Sequence, residues 1–269
     1  MKNVLRLLLL TLLLIAIAFP VFYMVSTSFF SPADYRAEVS RFLPSKFSFD
    51  NYRIAFGQRY FSNYLVNSIA TSLLTAFGRT MIVIMAAFAF SHLEFTGKKP
   101  LLIILLATLF VPQDALIYQN YSTVASLGLI DTYAAIVLPG LFSASQLILL
   151  YSAFSSLSRD YYDAGRIDGA KDISYIFRIL IPLTQSIVIT IILQSAVTAF
   201  NSYLWPLLVT NRPKARTIQI ALSMMGFREE GKLGAEAASI VIVTTPFLVL
   251  LALGRKKINE ALLKGGLSE

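Results

Sequence analysis

Residues 163–182 read Asp163-Ala164-Gly165-Arg166-Ile167-Asp168-Gly169-Ala170-Lys171-Asp172-Ile173-Ser174-Tyr175-Ile176-Phe177-Arg178-Ile179-Leu180-Ile181-Pro182. This charged, glycine-broken segment stands between long apolar runs. Asp160 and Asp163 fall early in a short helix, where negative charge suits the helix dipole. Gly169 ends that helix, because glycine adopts left-handed dihedrals at little cost. Asp172 is placed to cap a second helix. Ile173, Ile176, Phe177 and Leu180 of that second helix recur at i, i+3, i+4 and i+7 and form one apolar face. Lys171, Ser174 and Arg178 fall on the opposite side, and Pro182 begins the next apolar run. A large apolar side chain left in water forgoes about 1.5–3 kcal/mol of burial, so the face as a whole forgoes ~6–12 kcal/mol. It must be covered, by a membrane, by the rest of the chain or by another subunit.

The runs on either side set the fold class. Of 269 residues, 56% are hydrophobic and 14% are charged, against about 25% charged in soluble domains. Six apolar segments are long enough to cross a hydrocarbon layer of ~30 Å as helices: Leu5 to Phe29, Val66 to Phe90, Leu101 to Val124, Tyr133 to Phe154, Leu183 to Leu208 and Ala235 to Leu253. The expectation is an all-α, polytopic membrane bundle of six transmembrane helices. The whole of 1–269 reads as a single domain, with residues 158–182 as a loop between spans four and five. Lys2, Arg6 and the leucine run resemble a cleavable signal, but apolar character continues through Val25, so the first helix is expected to stay. Arg255, Lys256 and Lys257 abut the last span, and the connection between spans three and four has no basic residue; both place the two termini in the cytoplasm.

The composition also excludes chemistries. There is no cysteine and one histidine, His92, so thiolate nucleophiles and His/Cys metal centres are out, and His92 reads as structural or solvated. No catalytic set and no metal site is expected. The net charge of +8 is spread among apolar runs, which suits lipid head groups rather than nucleic acid. No G-x-x-x-x-G-K-[S/T] loop occurs, so ATP is not bound here by that route.

The quoted segment resembles the signature of bacterial ABC-importer permeases: E-A-A, three residues, glycine, nine residues, then I-x-L-P. Asp163-Ala164-Gly165, Gly169 and Ile179-Leu180-Ile181-Pro182 keep every spacing, with Asp for Glu at 163, Gly for Ala at 165 and Ile for Leu at 181. Asn201-Ser202-Tyr203-Leu204-Trp205-Pro206-Leu207-Leu208 and Gly128-Leu129-Ile130-Asp131-Thr132-Tyr133 are similar to segments of the maltose-type, carbohydrate-uptake permeases. The resemblance runs from about residue 61 to the C-terminal tail. It implies the type I importer architecture in a bacterial cytoplasmic (inner) membrane. The implied role is half of a translocation pathway for a sugar or sugar-derived solute. The implied partners are a second homologous permease subunit, two cytoplasmic ATPase subunits carrying ATP and Mg²⁺, and an external solute-binding protein. The coupling residues would be Asp163, Ala164, Gly165, Asp168, Gly169, Ala170, Ile173, Phe177 and Arg178.

Within the spans, Gln194, Thr198 and Asn201 fall at i, i+4 and i+7 and form a polar stripe, read either as pathway lining or as helix-to-helix hydrogen bonding. Tyr203 and Trp205 suit an interfacial anchor or a sugar-stacking surface. Arg79 lies mid-span, where lipid exposure is costly. It faces a cavity, pairs with an acid on a partner, or hydrogen-bonds carbonyls, and an anionic cargo is one consequence. An ion-coupled secondary carrier is the rival reading, although the deep spans hold no clear acid and Asp114 and Asp131 read as near the outer face.

Overall fold

The computed structural model describes residues 2–31, 34, 42–225, 233–246, 248 and 249. Every regular element among them is helical: α1 (Lys2–Ser28), α2 (Asp50–Gly57), α3 (Phe61–His92), α4 (Lys98–Ala107), α5 (Ile117–Ser126), α6 (Tyr133–Gly140), α7 (Ala144–Ser155), α8 (Asp160–Ile167), α9 (Asp172–Leu183), α10 (Gln185–Phe200), α11 (Leu204–Val209), α12 (Ile218–Met225) and α13 (Leu233–Pro246). The all-α expectation holds. Arg255, Lys256, Lys257 and the end of the sixth apolar run lie outside the described residues.

Breaks within the apolar runs separate the six expected spans from what the helices supply. Among the described residues, only α1 and α3 are single helices long and apolar enough to cross a membrane, with mean hydropathies of 2.6 and 1.9. The pairs α6–α7, bent by 53°, and α9–α10, bent by 90°, raise the number to four if each is one span. The third run is interrupted between α4 and α5 by two short 3₁₀ turns around Pro112. Hydropathy registers composition along a window, whereas proline and capping residues decide where a helix stops.

Two compact units emerge, one from residues 1–65 with 218–250 and one built on Val66–Thr217. In the first, every leucine and isoleucine from Leu5 to Ile17 is exposed. An uncovered apolar helix of this length requires lipid or another apolar chain around it. Beyond α1 the chain is tied by polar groups. Asn51 donates its amide to the carbonyls of Ser28 and Phe30 at 3.0 and 2.8 Å. Asp34 accepts from the Ser31 and Ser45 N–H groups at 2.8 and 3.1 Å, and hydrogen bonds from Ser45 and Ser31 hold its carboxyl well below the usual carboxylate range.

The second unit is organised on α3. One apolar core joins Val83, Ile84 and Phe88 of α3 to Leu147, Leu150 and Phe154 of α7, Ile176 and Leu180 of α9, and Val188 and Ile191 of α10. At 1.5 Å per residue the 32 residues of α3 extend about 48 Å, more than the ~30 Å hydrocarbon layer requires. Asn67 lies near one end and His92 at the other.

Candidate functional site

The segment 158–182 folds as an elbow of two helices. Helix α8 opens with Ser158, whose hydroxyl accepts the Asp160 N–H at 3.3 Å and donates to the Asp160 carboxylate at 2.8 Å. Asp160 and Asp163 occupy the first turn and Arg166 the last, so the charges complement the dipole at both ends. The helix stops at Gly169, whose φ is +77°. The Ala170 N–H reaches the Gly165 carbonyl at 2.9 Å and the Gly169 N–H reaches that of Arg166 at 3.0 Å. This is the double closure of a Schellman cap, and it turns the chain into α9.

Two expectations for α9 are corrected. Asp172 does not cap it: Lys171 holds the extended cap position without a side-chain bond. The Asp172 carboxylate instead accepts from the Tyr162 hydroxyl at 2.9 Å, tying the second elbow helix to the first. The expected four-residue apolar face is also divided. Ile176 and Leu180 are buried, together with Tyr175, whereas Ile173 and Phe177 are exposed. A π-helical stretch over Ile176–Leu180, which closes its bonds at i→i+5, re-phases the side chains from Ile176 onward, Phe177 among them. The protein covers one half of the apolar face and presents the other. Ile167, 86% exposed, and Tyr161 project from α8 as well, and an open concavity of about 490 Å³ lined by Asp168, Lys171, Ser174 and Arg178 lies beside the turn.

Of the sequence-expected elbow residues, Asp163, Ala164, Asp168, Gly169, Ile173, Phe177 and Arg178 are exposed, Ala170 is half-buried and Gly165 is buried. The missing methyl at Gly165 faces the Tyr175 ring, where a Cβ would stand 3.4 Å from Cδ2. Pro182 lies in the last turn of α9, and the chain bends sharply at Thr184 before α10.

The elbow is fixed to the end of α3 by aromatic packing that residue-by-residue reading missed. His92 is buried among Phe88, Tyr162 and Tyr175, with ring centroids 5.3, 5.3 and 5.5 Å away. Tyr162 and Tyr175 meet edge-to-face at 5.0 Å. Of the two readings offered for His92, structural or solvated, its burial fits the first.

The residues expected along a pathway do not converge. Arg79 donates from Nε to the Gly140 carbonyl at 2.6 Å, the third of the options left open for it. It thereby ties α3 to the bend between α6 and α7, where α3 passes so close that a Cβ on Gly78 would lie 2.7 Å from Leu141 Cδ2. Gln194, Thr198 and Asn201 are all exposed, so the stripe lies on the outside of this chain's own packing. Gln194 shares an open concavity of about 430 Å³ with Ser145, Gln146 and Ser152 of α7. Gln146 is buried and exchanges hydrogen bonds with Ser195 at 2.9 and 3.2 Å. The serines of α7 recur at i and i+7, a periodicity that was present in the sequence.

Near the opposite end of α3, the two segments similar to sugar-uptake permeases pack on each other. Trp205, half-buried, donates its indole N–H to the Ala135 carbonyl at 3.1 Å and packs on Val124, Ala135 and Val209, while Tyr203 beside it is exposed. Asp131, in the left-handed region at φ +67°, accepts the N–H groups of Asn211 and Arg212 at 2.6 and 2.8 Å. Tyr133 donates to Asn67, which donates to the Lys214 and Arg216 carbonyls at 2.8 and 2.9 Å. Charged acceptors of this kind contribute about 1.5–3 kcal/mol. Asp131→Ala is therefore expected to lower the thermal midpoint of the purified protein by several degrees. Asp131→Asn, which tolerates the same backbone and keeps an oxygen, is expected to lose less than half as much.

Comparison with known proteins follows the same lines. Residues 95–256 match the family described as "Binding-protein-dependent transport system inner membrane component". Over 260 residues the chain is 31% identical to the probable ABC transporter permease protein YurM of Bacillus subtilis, covering 94% of this chain and 85% of that one. Over 232 residues it is 33% identical to the sn-glycerol-3-phosphate transport system permease protein UgpE of Brucella abortus, covering 83% and 82%. Over 277 residues it is 30% identical to the trehalose/maltose transport system permease protein MalG of Thermococcus litoralis, covering 99% and 97%. Its backbone matches a crystal structure of a bacterial ABC transporter involved in the import of the acidic polysaccharide alginate, with a TM-score of 0.87 over 95% of both chains at 21% identity. At that identity the likeness establishes the fold.

Proposed function

The chain belongs to the binding-protein-dependent transport system inner membrane components, and from that premise we propose that it forms one half of the translocation pathway of an ATP-driven importer for a sugar or sugar-derived solute. It is a permease subunit rather than an enzyme. In this reading it works with a second, homologous permease subunit, two cytoplasmic ATPase subunits that hold ATP and Mg²⁺, and an external solute-binding protein. Its elbow, residues 158–182, docks into the ATPase.

The observation that carries docking is the division of the elbow surface. Tyr175, Ile176 and Leu180 root it in the core while Ile167, Ile173 and Phe177 stand exposed, an apolar prominence on a rigid base. Lys98 and Arg159, both on Glu94, and Arg166, over the Tyr162 ring, stand at that end of α3, which suits a cytoplasmic face, and in this reading both termini lie on the same side. Gln194, Thr198 and Asn201, turned outward from this chain, suit a pathway closed by the second permease subunit. The reading is tested by purification: co-elution with an ATPase, and ATP hydrolysis stimulated by the solute-binding protein, are expected. A lone subunit that accumulates solute on an ion gradient would overturn it.

A second feature bears on the cargo. Nε of Arg79 is committed to Gly140, while Nη1 and Nη2 have no hydrogen-bond partner among the described residues, a fork that suits a carboxylate or phosphate. Relatives named for sn-glycerol-3-phosphate and for trehalose/maltose cover both an anionic and a neutral cargo. If the cargo is acidic, Arg79→Gln lowers uptake of the acidic solute at least about tenfold, the loss of one charge-assisted pair, and lowers uptake of a neutral analogue far less. Equal losses assign Arg79 to the α6–α7 bend alone.

A further inference from the structure

The joint between the elbow and α3 contains the chain's single histidine, and its geometry goes beyond packing. We propose that His92 is the positioning residue of the elbow: as a neutral imidazole between Tyr162 and Tyr175 it holds both elbow helices to the end of α3, and a proton on it loosens that hold. The proposal rests on the reading that the elbow docks into the ATPase.

His92 is 7% exposed and Tyr175 1%. The imidazole Nδ1 lies 2.7 Å from Ser91 Oγ and Nε2 lies 3.5 Å from the Tyr175 hydroxyl. Its rings touch one tyrosine from each elbow helix, and the Tyr162 hydroxyl in turn holds Asp172. The contacts form a closed circuit: α3 to α8 through Tyr162, α8 to α9 through Asp172, and α9 back to α3 through Tyr175.

The surrounding charges do not welcome a cation. Lys98, at the start of α4, and Arg159, ahead of α8, both reach Glu94, at 3.7 and 3.6 Å. Arg166 of α8 lies over the Tyr162 ring at 5.8 Å. Of the acids, Glu94 is shared by the two cations, Asp172 is taken by Tyr162, and Asp163 bears on the Tyr175 hydroxyl. Among the described residues no carboxylate pairs with the imidazole. The C-terminal end of α3 favours a cation. Burial, then Arg159 and Lys98, nevertheless press the pKa of His92, which stands past the apolar span Val66–Phe90, below 6.5. A lowered pKa means that the packed joint excludes a proton that the opened joint accepts. The hold is therefore complete above the ordinary value of 6.5 and weakens as the pH falls below it.

The complete importer, reconstituted in vesicles, provides the test. With the pH varied on the ATPase side, solute moved per ATP hydrolysed is expected to be constant above about pH 6.5 and to fall at least about threefold toward pH 5. His92→Phe keeps a ring but cannot take a proton, and its ratio is expected to be flat over the same range. Superimposable wild-type and His92→Phe profiles overturn the proposal. If His92→Phe does not assemble, the native protein suffices: with ¹³C-labelled histidine the chain gives one imidazole signal, expected to titrate below 6.5, and titration at the ordinary value overturns the proposal. Lys171→Cys, at an exposed position of the elbow, separates the two readings. A cross-link to the ATPase together with a pH-independent ratio overturns the joint alone, whereas no cross-link in an active importer removes docking and this proposal with it.

Discussion

Uptake falls at least tenfold, with the thermal stability of the permease unchanged, when Ile173 and Phe177 are both replaced by Asp. Stability is spared because both side chains are exposed on the elbow, away from the core, and surface changes of this kind typically alter folding by less than about 0.5 kcal/mol. The loss comes from docking. Burying each side chain against a partner contributes about 1.5–3 kcal/mol, so the pair contributes ~3–6 kcal/mol, and each 1.4 kcal/mol is about tenfold in affinity. Co-purification of the ATPase and the initial rate of uptake are the measurements. Full uptake by a folded double variant would remove the elbow from the docking surface.

A graded series at Gly169 gives the second large effect. Gly169 sits at φ +77° with open space where a Cβ would go, so what opposes a side chain there is backbone conformation rather than crowding. An L-residue in that region costs roughly 1–2 kcal/mol, Asn least, and a β-branched residue is a genuine outlier. Gly169→Asn is expected to retain most uptake and Gly169→Ala an intermediate level. Gly169→Val is expected to lose nearly all of it, because the Schellman closure that aims α9 cannot form. Equal activity across the series would show that the angle between α8 and α9 is unimportant.

The legible parts of the elbow were those fixed by neighbours in sequence: the two helices, the stop at Gly169, and the dipole-matched charges of α8. The misread parts depend on distant groups. Asp172 looked like a cap because capping is local, yet Tyr162 claims its carboxylate. The i, i+3, i+4, i+7 pattern assumed an α-helical period throughout, and the π stretch over Ile176–Leu180 re-phased the face from Ile176 onward. Arg79 was marked as anomalous by its position in an apolar run, but its partner is a carbonyl 61 residues away. The six apolar runs were plain from composition, whereas the bends at 53° and 90° arise at residues that hydropathy averages away.

Helix α3 is anchored twice, by Asn67 to Tyr133 and the 214–216 backbone and by His92 to the elbow. Twenty-five residues separate those anchorages, about 37 Å along the axis. A stiff rod clamped at both ends has no slack, so a push arriving at one clamp must leave through the other as tilt or as torque. If the elbow docks into an ATPase as proposed, nucleotide turnover there is expected to be audible at the other end of the rod, and a fluorophore beside Tyr133 would hear it.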